Sequence, residues 1–488
     1  MVKVFKKLKP EIVWRYFEDI CNIPRPSKNE EKIIEYLIDF GKKHNLETKK
    51  DTAGNILISK AATANKANLK SVVLQSHVDM VCEKNSDIEH DFLKDPIKPF
   101  IDKDWVKAEG TTLGGDDGIG VATQLAILAS KNIEHGPIEC LFTVDEETGL
   151  TGANSLEPEF FKSNILINLD SEDEGEICIG CAGGIDTVAV LKYEKKDIPK
   201  DSVKKIIKVS GLKGGHSGDD IHRGLGNSIK ILNRLLWEGI NKYNIRIACF
   251  EGGNLRNAIP RESFAVVLIP NKSCNCFEEY FNKFTIDVKN ELSVTEPNLT
   301  INIEDFQSNI KNVMSKKSQL NFLQAVYSCP NGVFAWSKKM KGLVETSTNL
   351  ASIKFDKKNK IIITTSQRSS VDSSKYDISR MVESVFELSG AKVTHSEGYP
   401  GWNPNTKSEI LQIAKDSYIK LYEKKPRIRA IHAGLECGLF LAKYPALEMI
   451  SIGPTIKEVH SPSERLNIKS VQKYWDFLLD ILKNIPAL

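Results

Sequence analysis

No apolar run in this chain approaches the roughly 20 residues that a helix needs to cross a bilayer, so a membrane-spanning protein is not expected. Cysteine is sparse: ten among 488 residues are too few for a disulfide-stapled scaffold. The one C-x-x-C, Cys178 to Cys181, has no second pair at zinc-ribbon spacing and is expected to be reduced and structural. Cys274 and Cys276 sit too close in sequence to bridge easily and are expected on a surface loop. There is no long block of one charge sign, since 67 basic and 64 acidic residues leave a net charge of +3. There is also no basic stripe studded with aromatics, and nucleic acid is not expected as a partner. The opening MVKVFKKLKPEIVWRYFEDI places charges where a secretory signal needs an apolar core. A cytoplasmic protein is the expectation.

What is present is ordinary in bulk and specific in pattern. Hydrophobic content of 41% and charged content of 27% are those of a globular protein, and the length calls for two domains. In the first third, short apolar runs (SVVLQSHVD, IECLFTVDE, NILINLD) alternate with helical spacing, as in GIGVATQLAILASKN. Ser27 and Glu30 are spaced as a capping box ahead of EKIIEYLIDF, and LETKKDTAGNILISK reads as a hairpin turning near Gly54. Buried strands alternating with helices predict an α/β sheet covered on both faces. After Gly184 the pattern changes to an α+β layer, with strands in VKKIIKVSG, FAVVLIP and IIITTSQRSS and a Lys-rich helical segment near 277–294. The α/β pattern returns past Tyr399. A middle domain (185–398) inserted into a discontinuous outer one (1–184 and 399–488) follows.

The polar residues fall at the carboxyl ends of the predicted strands, where open α/β sheets place their ligands. They are His77, Asp79, Asp116, Asp117, Glu146, Glu147 and Asp170, joined far downstream by His460 in H-S-P-S-E. Imidazole nitrogen and carboxylate oxygen are what zinc accepts. In H-V-D, residues two apart on a strand face the same way, so Asp79 can accept the second ring N–H of His77 and fix its tautomer. In Gly114-Gly115-Asp116-Asp117-Gly118 the glycines let the backbone fold around an ion, and one aspartate of the pair could bridge two metals. Glu146 and Glu147 are adjacent, so they point apart: one can ligate while the other takes a proton from an acidified water. Glu172, Asp173 and Glu174 read as a solvated acidic loop. A site with two divalent metals and one free carboxylate is the reading of the residues.

SHVDMV, EGTTLGGDDGIG, INLDSEDEGEI, GCAGGID, GLKGGHSG, LRNAIPRE, YPGW, IHAGLECGLF and SIGPTIKEVHSP together resemble the M20 metallopeptidases nearly end to end. Within them the chain is similar to the cytosolic non-specific, or aminoacyl-histidine, dipeptidases. The resemblance implies a zinc-peptidase catalytic domain, a mixed sheet flanked by helices, with an inserted α+β lid that makes a homodimer. It implies two Zn2+ per subunit, with manganese or cobalt able to substitute. His77, Asp116 and Asp170 would hold one ion; Asp116, Glu147 and His460 the other. Asp79 would orient His77, Glu146 would be the general base, and the Asp116-Asp117 peptide would be cis. In the lid, His216, Asn257 and Arg368 match positions that contact substrate, with Arg368 suited to a dipeptide carboxylate and His216 to a developing oxyanion. Where relatives often have Thr or Met before the Glu pair, this chain has Asp145, expected to face away by strand alternation. The implied activity is hydrolysis of unblocked L-dipeptides, Xaa-His included, rather than deacylation of N-acyl amino acids, tripeptide cleavage or an inert zinc-binding scaffold.

Overall fold

The structure, a computed structural model, describes residues 4–488. It divides into two compact units: the described residues up to Gly180 with Pro404–Ala430 and Leu435–Leu488, and Cys181–Asn403 with Ile431–Gly434.

In the first unit, among the described residues, an eight-stranded mixed sheet runs Glu47–Lys50, Ile56–Lys60, Ile138–Thr143, Val72–His77, Ile165–Asn168, Glu448–Ser451, Glu176–Cys181, Arg427–Ile431. The first two strands are the expected hairpin, with Gly54 at φ 105° in its turn. Val72–His77 lies parallel to Ile138–Thr143 and to Ile165–Asn168, and every one of its residues is buried. A strand so covered needs apolar side chains on both faces, and VVL supplies them. The register pairs His77 with Thr143 and Gln75 with Asn168, so these strands end at one edge. Helix Gly115–Ala129 packs on this sheet with Ile119, Ala122, Leu125 and Ala126 fully buried. Helix Ile468–Lys483 buries one stripe, Val471, Trp475, Leu478 and Leu482, four residues apart or nearly so.

One start signal is misread. Helix Glu31–Lys43 forms where expected, but Ser27 and Glu30 make no capping box. Ser27 donates instead to Asp79 Oδ2 at 2.7 Å, and Glu30 Oε1 accepts the amides of Lys28 and Asp145. Long-range acceptors have won over the local cap.

The second unit is built on an antiparallel sheet, in the order Thr300–Asp305, Ser202–Ser210, Ser263–Pro270, Arg246–Gly252, Val344–Asp356, Lys360–Ser369, Gly183–Lys192, Lys392–His395. Gly332–Trp336 adds to Val344–Asp356. Helices Ser228–Tyr243, Cys274–Glu291, Lys316–Ser328 and Asp372–Leu388 share a core with it, centred on Leu232, Leu235, Phe250, Phe277, Phe322 and Phe386. Asn227 caps the first of these by accepting from the amides of Ile229 and Lys230. Cys274 and Cys276 open the second helix rather than lying on a loop. The Lys-rich segment is that same helix, amphipathic, with Phe277, Phe281, Phe284 and Val288 buried. Tyr399 and Trp402 pair back onto Gly184 and Cys181 within this unit.

Candidate dinuclear metal centre

His77 is the last residue of its strand and is 1% exposed. Asp79 lies beyond the strand end yet still reaches it, Oδ1 standing 3.4 Å from Nδ1 of His77. Asp79 is wholly buried and acts as an acceptor hub: it takes the amides of Glu146 at 3.0 Å and Glu147 at 3.2 Å besides the Ser27 hydroxyl. Burial alone would raise its pKa, but His77 and these donors outweigh it and bring it to about 2. At 3.4 Å from an ionised Asp79, outside the hydrogen bonds the structure makes, Nδ1 is the ring nitrogen on which the carboxylate favours a proton, and Nε2 of His77 faces Asp116.

The turn before helix Gly115–Ala129 carries Asp116 there. Asp116 Oδ1 is 3.1 Å from His77 Nε2, and its Oδ2 is 3.3 Å from His460 Nε2. The Asp116-Asp117 peptide is cis, as the resemblance implied. Asp117 takes no part: it is buried and its Oδ1 accepts the Gly120 amide. Leu113–Asp116 is gripped from two sides. Glu464 accepts all four amides, and the Arg25 guanidinium donates to the Gly114 carbonyl at 2.5 Å. Burial pushes the Glu464 carboxyl up, while the amides of Gly114, Asp116 and Leu113 pull it back.

The chain leaves strand Ile138–Thr143 through Asp145, whose φ of 49° turns it out of line. Asp145 is buried, accepts from the Thr148 hydroxyl, and has a carboxylate oxygen within 4.8 Å of those of Glu30 and Asp79, so it lies beside Asp79 instead of being turned clear of it by strand alternation. Glu147 stands 3.1 Å from His460 Nε2, and Asp170 Oδ1 is 3.5 Å from His77 Nε2. Two groups of potential ligand atoms result, His77–Asp116–Asp170 and Asp116–Glu147–His460, sharing Asp116. Glu146, half-buried, also brings a carboxylate oxygen within 4.8 Å of the His77 and Glu147 donor atoms.

The electrostatics of this cluster call for a cation. Burial together with neighbouring Asp116 pushes Asp170 up to about 7, against the pull of His77. Burial, with Asp170, Glu436 and Glu147 nearby, raises Glu146 well above the usual carboxylate range. Hydrogen bonds to Asp116 and Glu147 hold His460 up at about 11. Carboxylates crowded this way are at ease only with positive charge between them. Each group offers one imidazole and two carboxylates, a set suited to zinc, manganese or cobalt.

Elsewhere in the first unit the acidic loop departs from expectation. Asp173 pairs with Lys457, and Glu174 accepts from the Tyr418 hydroxyl and Lys473, so the loop is tied down rather than solvated. Glu436 was not anticipated: it is 1% exposed and accepts from Gln75 at 2.6 Å and Thr143 at 2.9 Å. Gln75 and Asn168, hydrogen-bonded to each other, lie two residues before His77 and Asp170 on their strands and form a polar floor one step below them.

In the second unit His216 and Asn257 lie in paired segments, the Asn257 carbonyl accepting the Ser217 amide at 2.7 Å, and both line a cavity of about 940 Å3. Arg368 is 7% exposed, donates Nη1 to the Tyr399 hydroxyl at 3.1 Å, and its Nε has no partner among the described residues. Tyr399 is wedged between Gly184 and Gly434, where an added Cβ would come within 2.8 and 2.9 Å of its ring. His432, also unanticipated, is hydrogen-bonded to the Ser347 hydroxyl, and burial with the Arg368 charge holds its pKa to about 3.

Imidazoles and carboxylates converging around a shared aspartate, at the carboxyl edge of a mixed sheet, are the arrangement of a two-metal hydrolase. The chain belongs to peptidase family M20/M25/M40, whose family model matches residues 73–484. It is 45% identical over 481 residues to the cytosol non-specific dipeptidase of Escherichia coli, covering 99% of each chain. The crystal structure of aminoacylhistidine dipeptidase from Vibrio alginolyticus superposes with a TM-score of 0.93 at 45% identity, over 99% of this chain and 98% of that one. A tripeptidase from Staphylococcus aureus shares the fold, with a TM-score of 0.57 and 17% identity over 98% and 99% of the two chains.

Proposed function

We propose that this protein is a dinuclear zinc dipeptidase of broad specificity acting on unblocked L-dipeptides, Xaa-His among them. The observation that carries the reading is the pair of ligand groups joined at Asp116 with Glu146 alongside, in a chain similar end to end to a non-specific dipeptidase. His77, Asp116 and Asp170 would hold one ion and Asp116, Glu147 and His460 the other, with manganese or cobalt able to replace zinc. When bound, the ions supply Lewis acidity toward the peptide carbonyl and make the attacking water more acidic. Glu146 takes the proton of that water and later delivers it to the leaving amine nitrogen. Burial raises the Glu146 carboxyl well above the usual carboxylate range, the direction that helps it retain the proton it must return. Asp79 keeps the proton of His77 on Nδ1.

In the second unit Arg368 pairs with the dipeptide carboxylate, and the Nε–H left over beside the Tyr399-bound Nη1 is the donor for it. Nδ1 of His216 accepts the Asp219 amide at 3.2 Å, which leaves Nε2–H to donate to the developing oxyanion. Asn257 adds a polar contact to the substrate. This unit acts as lid and as the surface of a homodimer, and the enzyme works in the cytoplasm. The name of the Escherichia coli relative, a cytosol dipeptidase, supports that compartment.

The test is a panel of dipeptides, tripeptides and N-acetyl amino acids offered to the zinc-loaded protein. Dipeptides are expected to turn over fastest; preference for acetylated substrates would replace this reading with a deacylase.

A further inference from the structure

The turn Leu113–Asp116 carries Asp116, which both ligand groups share, and two charged side chains with no ionic partner among the described residues are committed to it. Glu464 is 2% exposed. Its Oε2 accepts the amides of Leu113 at 2.7 Å and Gly114 at 2.9 Å; its Oε1 accepts those of Gly115 at 2.8 Å and Asp116 at 3.3 Å. With two amides on each oxygen, the four lone-pair sites of a carboxylate are all used. Arg25 is 3% exposed, and its partners are carbonyls: Val78 and Asp79 at 2.8 Å each, and Gly114. Gly114 stands at φ 67°, and a Cβ there would come within 2.5 Å of the guanidinium, so only glycine allows the approach.

A buried, unpaired charge is costly, and a fold that keeps two of opposite sign on one turn does so for a reason beyond packing. The amides at a helix start are strong donors, and an aspartate among them tends to fold its carboxylate back onto them. Glu464 occupies the amides of Leu113, Gly114, Gly115 and Asp116 itself, which fixes the backbone on which the Asp116 carboxylate stands, 3.1 Å from His77 Nε2 and 3.3 Å from His460 Nε2. Arg25 meanwhile ties the same turn to the segment just after His77. Glu464 also lies four residues past His460, so the loop that carries one imidazole is hydrogen-bonded to the turn that carries the shared carboxylate.

We propose that Glu464 and Arg25 are positioning residues that hold the Asp116 turn in its ligating shape before any ion binds. The proposal rests on the reading of the cluster as a metal centre, and its test separates the two.

The experiment compares zinc affinity, by competition with a chromogenic chelator, for full-length wild type, Glu464→Gln and Glu296→Gln. In Glu464→Gln an NH2 replaces an oxygen and meets two amide donors head-on. Glu296 is the control, a carboxylate 1% exposed in the other unit that accepts the amides of Lys213 and Gly226. Glu464→Gln is expected to bind zinc roughly 10- to 100-fold more weakly, the range for residues that orient ligands. Glu296→Gln is expected to lower Tm while leaving zinc affinity alone. Equal affinity in Glu464→Gln and wild type overturns the proposal. Should Glu464→Gln not fold, hydrogen exchange of the wild-type segment 113–116 decides: protection in the metal-free chain matching the zinc-loaded one supports it, and protection that appears only with zinc overturns it. A wild type that binds no zinc would sink the metal reading, while the exchange of the metal-free chain still reports on the clamp.

Discussion

The two units concentrate opposite kinds of chemistry. In the first, carboxylates crowd around two histidines, and burial drives Asp170 and Glu146 above their usual range while His460 is held up at about 11. In the second, the groups proposed to meet a substrate are cationic or neutral donors: Arg368 with an Nε unpartnered among the described residues, a His432 kept neutral, and His216 with its Nδ1 already accepting. An acid-rich centre recruits cations and moves protons; a donor-rich one recognises anions. The difference predicts that substitutions in the first unit act on kcat and metal content, whereas substitutions in the second act on KM.

The largest effect should come from Glu146→Gln, which keeps the shape and removes the proposed base. Turnover is expected to fall by at least ~10² to 10⁴-fold with two ions still bound, since that is the contribution of a positioned general base. Metal analysis beside single-turnover rates reads it, and undiminished turnover would remove Glu146 from the mechanism. Next is Arg368→Met. Losing charge-assisted hydrogen bonds to a carboxylate is expected to cost about 3 kcal/mol in kcat/KM, roughly 150-fold, carried mainly by KM. A dipeptide amide, which lacks the carboxylate, should be hydrolysed alike by wild type and variant. If kcat falls instead while KM holds, the division between the units is broken.

How far this division could be read from the chain alone depends on how local its causes are. His77 ends an apolar strand and Asp170 and the Glu146-Glu147 pair follow within a few residues of two others, so strand position pointed at them directly. Asp116 and His460 were legible through glycines and through the resemblance. Arg25 and Glu464 were not, because what they do is accept and donate across 89 and 351 positions of sequence, a relation no local pattern carries. The same long reach defeated the capping box: Ser27 and Glu30 had the right spacing and better partners in Asp79 and Asp145. Strand alternation did not reach Asp145, because the strand ends at Thr143 and a positive φ at Asp145 leaves its carboxylate beside those of Glu30 and Asp79.

A smaller effect sharpens the acid-rich half. In the metal-free protein Asp170 keeps its proton up to about pH 7 and His460 keeps its own up to about 11. Both must lose them to ligate, so zinc binding releases protons and strengthens as pH rises. The sign is unambiguous: affinity measured at pH 6, 7 and 8 should increase, by about tenfold per unit for each proton displaced, with Asp170 ceasing to contribute above its pKa. Proton uptake on binding, or an affinity flat across this range, would mean that these groups do not ligate. Arg368→Met should follow the wild-type profile, because the second unit carries none of the proposed titrating ligands.

The smallest expected change tests the donor-rich half at a single hydroxyl. Tyr399 accepts from Arg368 Nη1 and is fixed by the glycines at 184 and 434, so Tyr399→Phe removes one acceptor without opening a void. The released Nη1–H is buried, and leaving such a donor unsatisfied costs about 1 kcal/mol, enough for roughly a fivefold change. If Tyr399 aims the guanidinium at the substrate carboxylate, KM for dipeptides rises by about that factor while kcat, zinc content and the pH profile of metal binding stay put. If it only anchors Arg368 within the sheet, Tm falls and KM does not move. That outcome would leave Arg368 without the orientation its role requires, and the recognition assigned to this unit would have to shift toward His216 and His432.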